Sequence, residues 1–485
     1  MGNNRISIWA ALSLTMLATS VWAQPAPSPL ASVALPVGPY IPSGQPLELK
    51  LDEAVALALR YNRHVRSAYL QRTVQRFDLR IAERAFVPRG EIGTEIAQRR
   101  TDGRVFDEIS AQASASWATP LGGQVGFVWS RSEIRNGLGH ETTGVSLVQP
   151  LLRGGGLAVN MAPVRIARLQ EDINRLHLEA TVSGSITSVI TSYRNLVQAQ
   201  EQVRLAEASL ERMRELLATN RALIDAGRMA EADIIQTQSG VANQEVALLQ
   251  TRQQLASAQL ALVHLLALAS RTNVVAVDDM QANKVDVDLE RALVTAFSSR
   301  IDLQAQQIAL EQARQFGVVA RNARLWDVSL VASAMRDDGV GFWQSNERTD
   351  TSIGLRLSVP LGDLSGRQNW LTAQTNLKTA ELALEELKQA VENQVLDAVQ
   401  SVEASWHKVE AAPRAKSLSE QALKIAHEKL RFGRASNFEV LSLQSDLRAA
   451  DAQELAANIA YLNALTALDQ QIGSTLSTWR ISLHD

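Results

Sequence analysis

The chain has 485 residues, 46% of them hydrophobic, with a net charge of −3 and no cysteine. That balance gives no electrostatic basis for binding nucleic acid, and the missing cysteines exclude disulfides, thiolate metal sites, thiol nucleophiles and a lipidated N-terminal cysteine. The seven histidines form no pair at metal-ligand spacing, and no P-loop, metalloprotease or nucleophile-elbow motif occurs, so neither an enzyme nor a cofactor is expected.

Residues 1–23 read as a secretory signal peptide. Arg5 precedes the apolar stretch Ile6 to Ala18, and Val21-Trp22-Ala23 places small residues at the outer positions of a cleavage site. Residues 24–46 are proline-rich and read as an extended leader. No later run is long enough for a membrane-spanning helix, so any membrane crossing must be made by strands.

Helical spacing of Ala54, Leu57, Ala58, Val65, Ala68 and Tyr69 predicts one helix within 47–88, closed by Val87-Pro88. The period then drops to two over 89–150. Between Glu108 and Ala118, Ile109, Ala111, Ala113, Ala115 and Trp117 alternate with Ser110, Gln112, Ser114 and Ser116. Shorter rows at Ile92 to Ile96, Val125 to Trp129 and Val145 to Leu147 bring the candidate strands to four, joined as hairpins by Gly-rich and charged turns. Either a soluble sandwich or an outer-membrane barrel produces such two-faced strands. The small serines and alanines suit a barrel wall around water, and Trp117, Trp129 and Trp343 stand at strand ends, where aromatics meet a lipid interface.

From the glycine run at Gly154 the helical period returns over 151–272. One helix runs to about Ala226, roughly 100 Å at 1.5 Å per residue, and a second returns from Ala230 to Ala269. Helices of this length usually mean coiled coil. After a linker at 273–288 the pattern starts again. Leu289-Glu290-Arg291-Ala292-Leu293 matches Leu51-Asp52-Glu53-Ala54-Val55, a helix covers 289–325, and two alternating strands lie in 326–361. A second helical hairpin fills 362–473, with Pro413 as its expected kink, and 474–485 is a tail. The outgoing limb of that hairpin carries a nearly seven-residue apolar repeat from Trp370 to Val409, the seam of a left-handed coiled coil. The whole is a tandem duplication.

Each hairpin turn holds a Gly-Arg pair, Gly227-Arg228 and Gly433-Arg434, with a carboxylate six residues past the glycine, Asp233 and Glu439. Glycine suits the left-handed residue that ends a helix. Gln236 and Ser442 lie three residues beyond those carboxylates.

This two-fold repeat, the Leu147-Val148-Gln149-Pro150-Leu151-Leu152-Arg153-Gly154 joint and the paired Gly-Arg hairpins resemble the TolC family of outer-membrane factors across essentially all of the mature chain. The resemblance implies an α+β membrane protein: an outer-membrane β-barrel shared by a homotrimer, continuous with a long periplasmic coiled-coil barrel of α-helices. It implies the exit duct of a tripartite efflux pump or a type I secretion system, working with a periplasmic adaptor protein and an inner-membrane transporter. It also places a periplasmic gate at the hairpin tips, with Asp233, Glu439, Ser442 and Gln236 as gate residues. Gly227, Arg228, Gly433 and Arg434 become turn residues and gate-link or adaptor contacts. The sequence departs from the family pattern at Ser442, where a second aspartate is usual, and at Ala435, where a linking arginine stands. It also offers six strands where the family's protomer contributes four. Strands that extend or enlarge the barrel are the expectation; limbs of a hairpin outside the wall are the alternative. A periplasmic coiled-coil scaffold without channel activity is the competing reading of the whole chain.

Overall fold

The protein is described here from a computed structural model covering residues 46–101, 104–134, 138–340 and 345–482. The expected signal peptide, nearly all of the leader, and Trp343 lie outside the described residues.

The single helix expected over 47–88 is replaced by a strand and two helices. Strand β1 (Leu47–Leu49) leads into α1 (Leu51–Tyr61) and α2 (Arg63–Glu83). Asn62 breaks the helix with an extended backbone, ψ 128°. Its Oδ1 accepts from the amides of His64 (2.8 Å) and Val65 (3.4 Å), capping α2, and its Nδ2 donates to the Leu265 carbonyl at 2.9 Å. Asparagine favours such caps because its short side chain competes with the backbone for hydrogen bonds.

Four strands follow: β2 (Arg89–Thr101), β3 (Arg104–Ala118), β4 (Gln124–Ile134) and β5 (Leu138–Pro150). A short turn of helix, α3 (Leu157–Asn160), precedes the first long helix, α4 (Ala162–Asp225), which returns as α5 (Asp233–Leu265). At 64 residues α4 is about 96 Å long. The linker supplies β6 (Val274–Ala276), a strand the sequence did not announce, pairing in parallel with β1 through Leu47↔Val274 to Leu49↔Ala276. Tyr193, fully buried on α4, sets its hydroxyl 2.8 Å from the Leu49 carbonyl and 2.9 Å from Asp278 Oδ2, and burial raises its pKa.

The second copy repeats these devices. Helices α6 (Leu289–Ser299) and α7 (Ile301–Ala323) are divided at Arg300, again with an extended backbone. Strands β7 (Asp327–Val340) and β8 (Ser345–Ser358) are followed by α8 (Ser365–Arg431), α9 (Asn437–Ile472) and the short α10 (Thr475–Thr478). Helix α8 continues through Pro413.

The strands from both copies form one antiparallel sheet in the order β2-β3-β4-β5-β7-β8. Its register aligns a single apolar face across all six. Ile92 stands opposite Ala113, Ala113 opposite Trp129, Phe127 opposite Val145, Val145 opposite Ala334, and Ala332 opposite Ile353. The residues of this face at the two edges are the most exposed: Ile96 at 81% and Ile353 at 79%. The other face is polar, with hydroxyls and glycine at Ser146 opposite Gly126 and Ser333, charged or amide side chains at Glu91, Glu95, Gln112 and Arg356, and Ser333 Oγ 2.8 Å from Ser352 Oγ. The joint at the helical end of the sheet is tied across the two copies. Arg153 meets Asp327 at 3.1 Å, and Asn322 Oδ1 accepts from the Gly154 amide at 2.7 Å. No helix among the described residues is long and apolar enough to cross a membrane.

Candidate functional site: the paired hairpin tips

The two turns close with matching bonds at the glycine and the arginine. Gly227 and Gly433 both have φ +68°. Arg228 N bonds to Leu223 O and Arg434 N to Lys429 O, each at 2.8 Å, while the glycine amides reach Ile224 O (2.8 Å) and Leu430 O (2.9 Å). This is the Schellman arrangement, which satisfies the last carbonyls of α4 and α8. The Gly-Arg pairs are thus helix stops built from backbone geometry, and their arginine side chains are left exposed.

Both carboxylates begin the return helices, where the partial positive charge of a helix N-terminus favours an anion. Asp233 is half-buried in the first turn of α5, and Glu439 is exposed in the first turn of α9, behind the Ser436 cap that accepts from its amide at 3.1 Å. Gln236 and Ser442 are exposed on the following turns. Among the described residues Asp233, Glu439, Arg228 and Arg434 form no ion pair with one another or with other groups of the protomer. The tips are joined through different side chains.

Asn220 of α4, Thr237 of α5 and Asn437 of α9 form a polar cluster that is 0%, 0% and 5% exposed. Asn220 Nδ2 donates to Thr237 Oγ1 (2.7 Å) and to Asn437 Oδ1 (2.8 Å). Asn437 Nδ2 donates to Thr237 Oγ1 (3.0 Å) and to the Asp233 carbonyl (3.3 Å). Asn437 therefore fastens the first turn of α9 to the first turn of α5, bringing the helix starts that carry Asp233 and Glu439 side by side. Apolar packing surrounds the cluster: Met213, Leu216, Leu423, Ala426, Leu430, Val440 and Leu447, from both hairpins. Asn220 Oδ1 has no hydrogen-bond partner, so the network is not saturated.

Sequence reasoning missed this cluster, although one signal was available. Asn220 interrupts the row Leu210, Met213, Leu217, Ile224 at a seam position, where a buried amide fixes coiled-coil register. The cluster draws on both copies but has no symmetry-related counterpart. Ala426 stands where Asn220 does, seven residues before the turn glycine, and Leu443 answers Thr237.

Two further polar ties hold the hairpins together away from the tip. Lys416 of α8 contacts Glu454 (2.9 Å) and Asp451 (3.3 Å) of α9, and these carboxylates, Glu454 foremost, raise its pKa. Arg212 of α4 reaches Asp451 at 3.8 Å. Arg194, half-buried on α4, donates to the Leu462 carbonyl (2.6 Å) and Thr466 Oγ1 (2.7 Å), and desolvation lowers its pKa to about 10. Among the described residues no group of three His, Asp or Glu side chains is arranged to hold a metal ion.

Comparison with known proteins places this architecture. The profile of the outer membrane efflux protein family matches residues 54–268 and 292–474, which covers both copies. The pyoverdine export outer membrane protein OpmQ of Pseudomonas putida is 24% identical over 312 residues. That match takes in 62% of this chain and 64% of the relative, slightly under two thirds of its length. Among solved structures, the CmeC outer membrane channel of Campylobacter jejuni aligns with a TM-score of 0.68 at 15% identity, over 88% of this chain and 86% of that one. The outer membrane protein VceC of Vibrio cholerae gives 0.67 at 15% identity, over 87% and 96%. The α+β fold with its duplicated strand-and-hairpin plan is that of these channels.

Proposed function

The chain belongs to the outer membrane efflux protein family, and we propose that it is the outer-membrane exit duct of an export machine, closed by three copies of itself. The observation that carries this reading is the six-strand sheet, with one exposed apolar face, two unpaired edges and a direct join to two long helical hairpins. Exposed apolar surface of that kind suits lipid, but an open edge in lipid leaves backbone groups without partners at several kilocalories each. Closure of the ring solves this: β2 runs away from the helices and β8 runs back to them, so β8 of one protomer meets β2 of the next in antiparallel sense.

In this reading residues 89–150 and 326–361 form the barrel in the outer membrane, with the apolar face to lipid and the polar face to the lumen. The helical segments 47–88, 151–272, 289–325 and 362–473 extend into the periplasm. The tips form the gate, with Asp233 and Glu439 facing the passage. Arg228 and Arg434 are available to a neighbouring protomer or to a periplasmic adaptor protein, which would link the duct to an inner-membrane transporter. Export of small molecules is the cargo reading supported by the relative named for pyoverdine export; a type I secretion role uses the same duct.

Fractionation tests the proposal. The protein is expected in the outer membrane as an oligomer that falls to monomer only on heating in detergent. Recovery as a soluble periplasmic monomer would refute it and favour the scaffold reading.

A further inference from the structure

The family pattern of four strands per protomer would close a twelve-stranded barrel. We infer that β2 and β3 are also wall strands, so that three protomers enclose an eighteen-stranded barrel whose wider lumen suits bulky hydrated cargo. This rests on the duct-and-trimer reading above.

The first argument is topological. Strand β3 is paired along both edges, with β2 from Arg89↔Ser116 onward and with β4 from Ala118↔Gln124 to Ile109↔Glu133. The edge of β4 that a four-strand wall would offer to a neighbouring protomer is therefore occupied. The unpaired edges are those of β2 and β8, and any closed ring must run through them. A barrel wall needs an even number of strands to close in antiparallel sense, and six per protomer meets this.

The second argument is chemical. A hairpin lying in water, inside the lumen or beyond the wall, has no reason to carry an apolar face in register with the rest of the sheet. Strand β2 carries one. Ile92 and Ile96 are 69% and 81% exposed and align with Ala113 and Ile109, on the same face as Phe127 and Val145. Its opposite face holds Glu91 and Glu95, beside Ser114 and Ser110. At 13 and 15 residues, β2 and β3 also exceed the 9–11 or so that a tilted strand needs to span a bilayer.

The consequence is one of bore. With strands about 4.8 Å apart and tilted about 40°, eighteen strands give a backbone diameter of roughly 36 Å, against roughly 24 Å for twelve. Serine and glycine positions along this polar lining leave much of that width open between its charged side chains. Such a lumen passes large, well-hydrated solutes and discriminates weakly among them.

Site-directed spin labelling of the full-length protein in lipid bilayers tests this, helped by the absence of native cysteine. Single variants Ile92→Cys, Ile96→Cys, Glu91→Cys and Glu95→Cys report on β2, with Ile353→Cys and Leu355→Cys on β8 as reference. The expected result is an alternation. Labels at 92 and 96 collide several-fold more with oxygen than with a water-soluble nickel chelate, like those at 353 and 355, and labels at 91 and 95 show the reverse. Water exposure at all four β2 positions, with 353 and 355 still in lipid, overturns the eighteen-stranded wall and leaves the duct intact. Water exposure at 353 and 355 as well removes the duct reading and this inference together. Poly(ethylene glycol)s of graded size, added only on the extracellular side of single channels, read the bore. Entry of polymers that a twelve-stranded lumen excludes is expected, and a cut-off at the twelve-strand size overturns the wider passage.

Discussion

Replacing Asn437 with alanine tests whether the buried amide cluster is what holds the two hairpins together. The side chain accepts from Asn220 at 2.8 Å and donates to Thr237 at 3.0 Å and to the Asp233 carbonyl at 3.3 Å. Truncation leaves Asn220 Nδ2 one surviving bond, to Thr237 at 2.7 Å, and adds a stranded N–H to the Oδ1 that already lacks a partner. Buried polar groups deprived of a partner cost about 1–3 kcal/mol, so the tip should open about 2 kcal/mol more easily, which is roughly 30-fold faster amide exchange. Hydrogen exchange read by mass spectrometry on peptides from the starts of α5 and α9 measures this, with the β6 region as an internal reference. The acceleration should be confined to the tips. Combining Asn437→Ala with Asn220→Ala should cost less than the two single changes added, because both break the same bond. Unchanged exchange at the tips, an equal rise at β6, or strict additivity would refute the reasoning. On the proposed gate reading, the same variant should open more often in single-channel recordings, because the cluster joins the two hairpin tips.

Three further outcomes are expected. Asp233→Ala/Glu439→Ala should raise single-channel conductance and weaken block by multivalent cations; unchanged conductance and block would show that these carboxylates face away from the passage. Half-buried His427 on α8 has its pKa held below 6.5 by burial first and then by Arg431, against a smaller opposite pull from Glu215. The unfolded chain then takes up the proton at higher pH, so stability from the neutral ring is complete above about 6.5 and is lost as pH falls through the lower folded value. The thermal midpoint should drop on acidification through that window, and His427→Gln should remove that part of the slope. Finally, Arg72 and Glu171 join α2 to α4 by two bonds of 2.6 and 2.8 Å, with side chains 5% and 18% exposed. Arg72→Met should destabilise by about 3–5 kcal/mol because it leaves a largely buried carboxylate unpaired, and Arg72→Met/Glu171→Leu should recover most of that in a thermal melt.

The features readable from sequence are those set by local periodicity. Strand β3 is visible because Ile109 to Trp117 alternate without a lapse, and the hairpin turns because glycine stands where a left-handed residue is needed. The break at Asn62 is hidden because the apolar spacing continues across it: Ala58, Tyr61 and Val65 are all buried, three and four residues apart, as in an unbroken helix. Strands β1 and β6 are three residues each and exist only through one another, so neither leaves a periodic trace. The tip was legible as a turn and as a place for carboxylates, whereas its internal fastening depends on three helices meeting. Thr237 and Asn437 look like ordinary residues near helix starts until the fold brings Asn220 to them.

The pairing of β1 with β6 has a consequence for how the molecule assembles. Leu47 meets Val274, and Leu51 N is held by Asp278 at 2.7 Å, contacts more than two hundred residues apart. Among the described residues neither strand pairs with any other, so the pairing of Leu47–Leu49 needs the whole first copy, with α4 and α5 folded back on each other. Loop closure over that distance is slow compared with local helix formation. The pairing thus ties the start of the first copy to its end, and its formation depends on the whole of that copy rather than on any local segment.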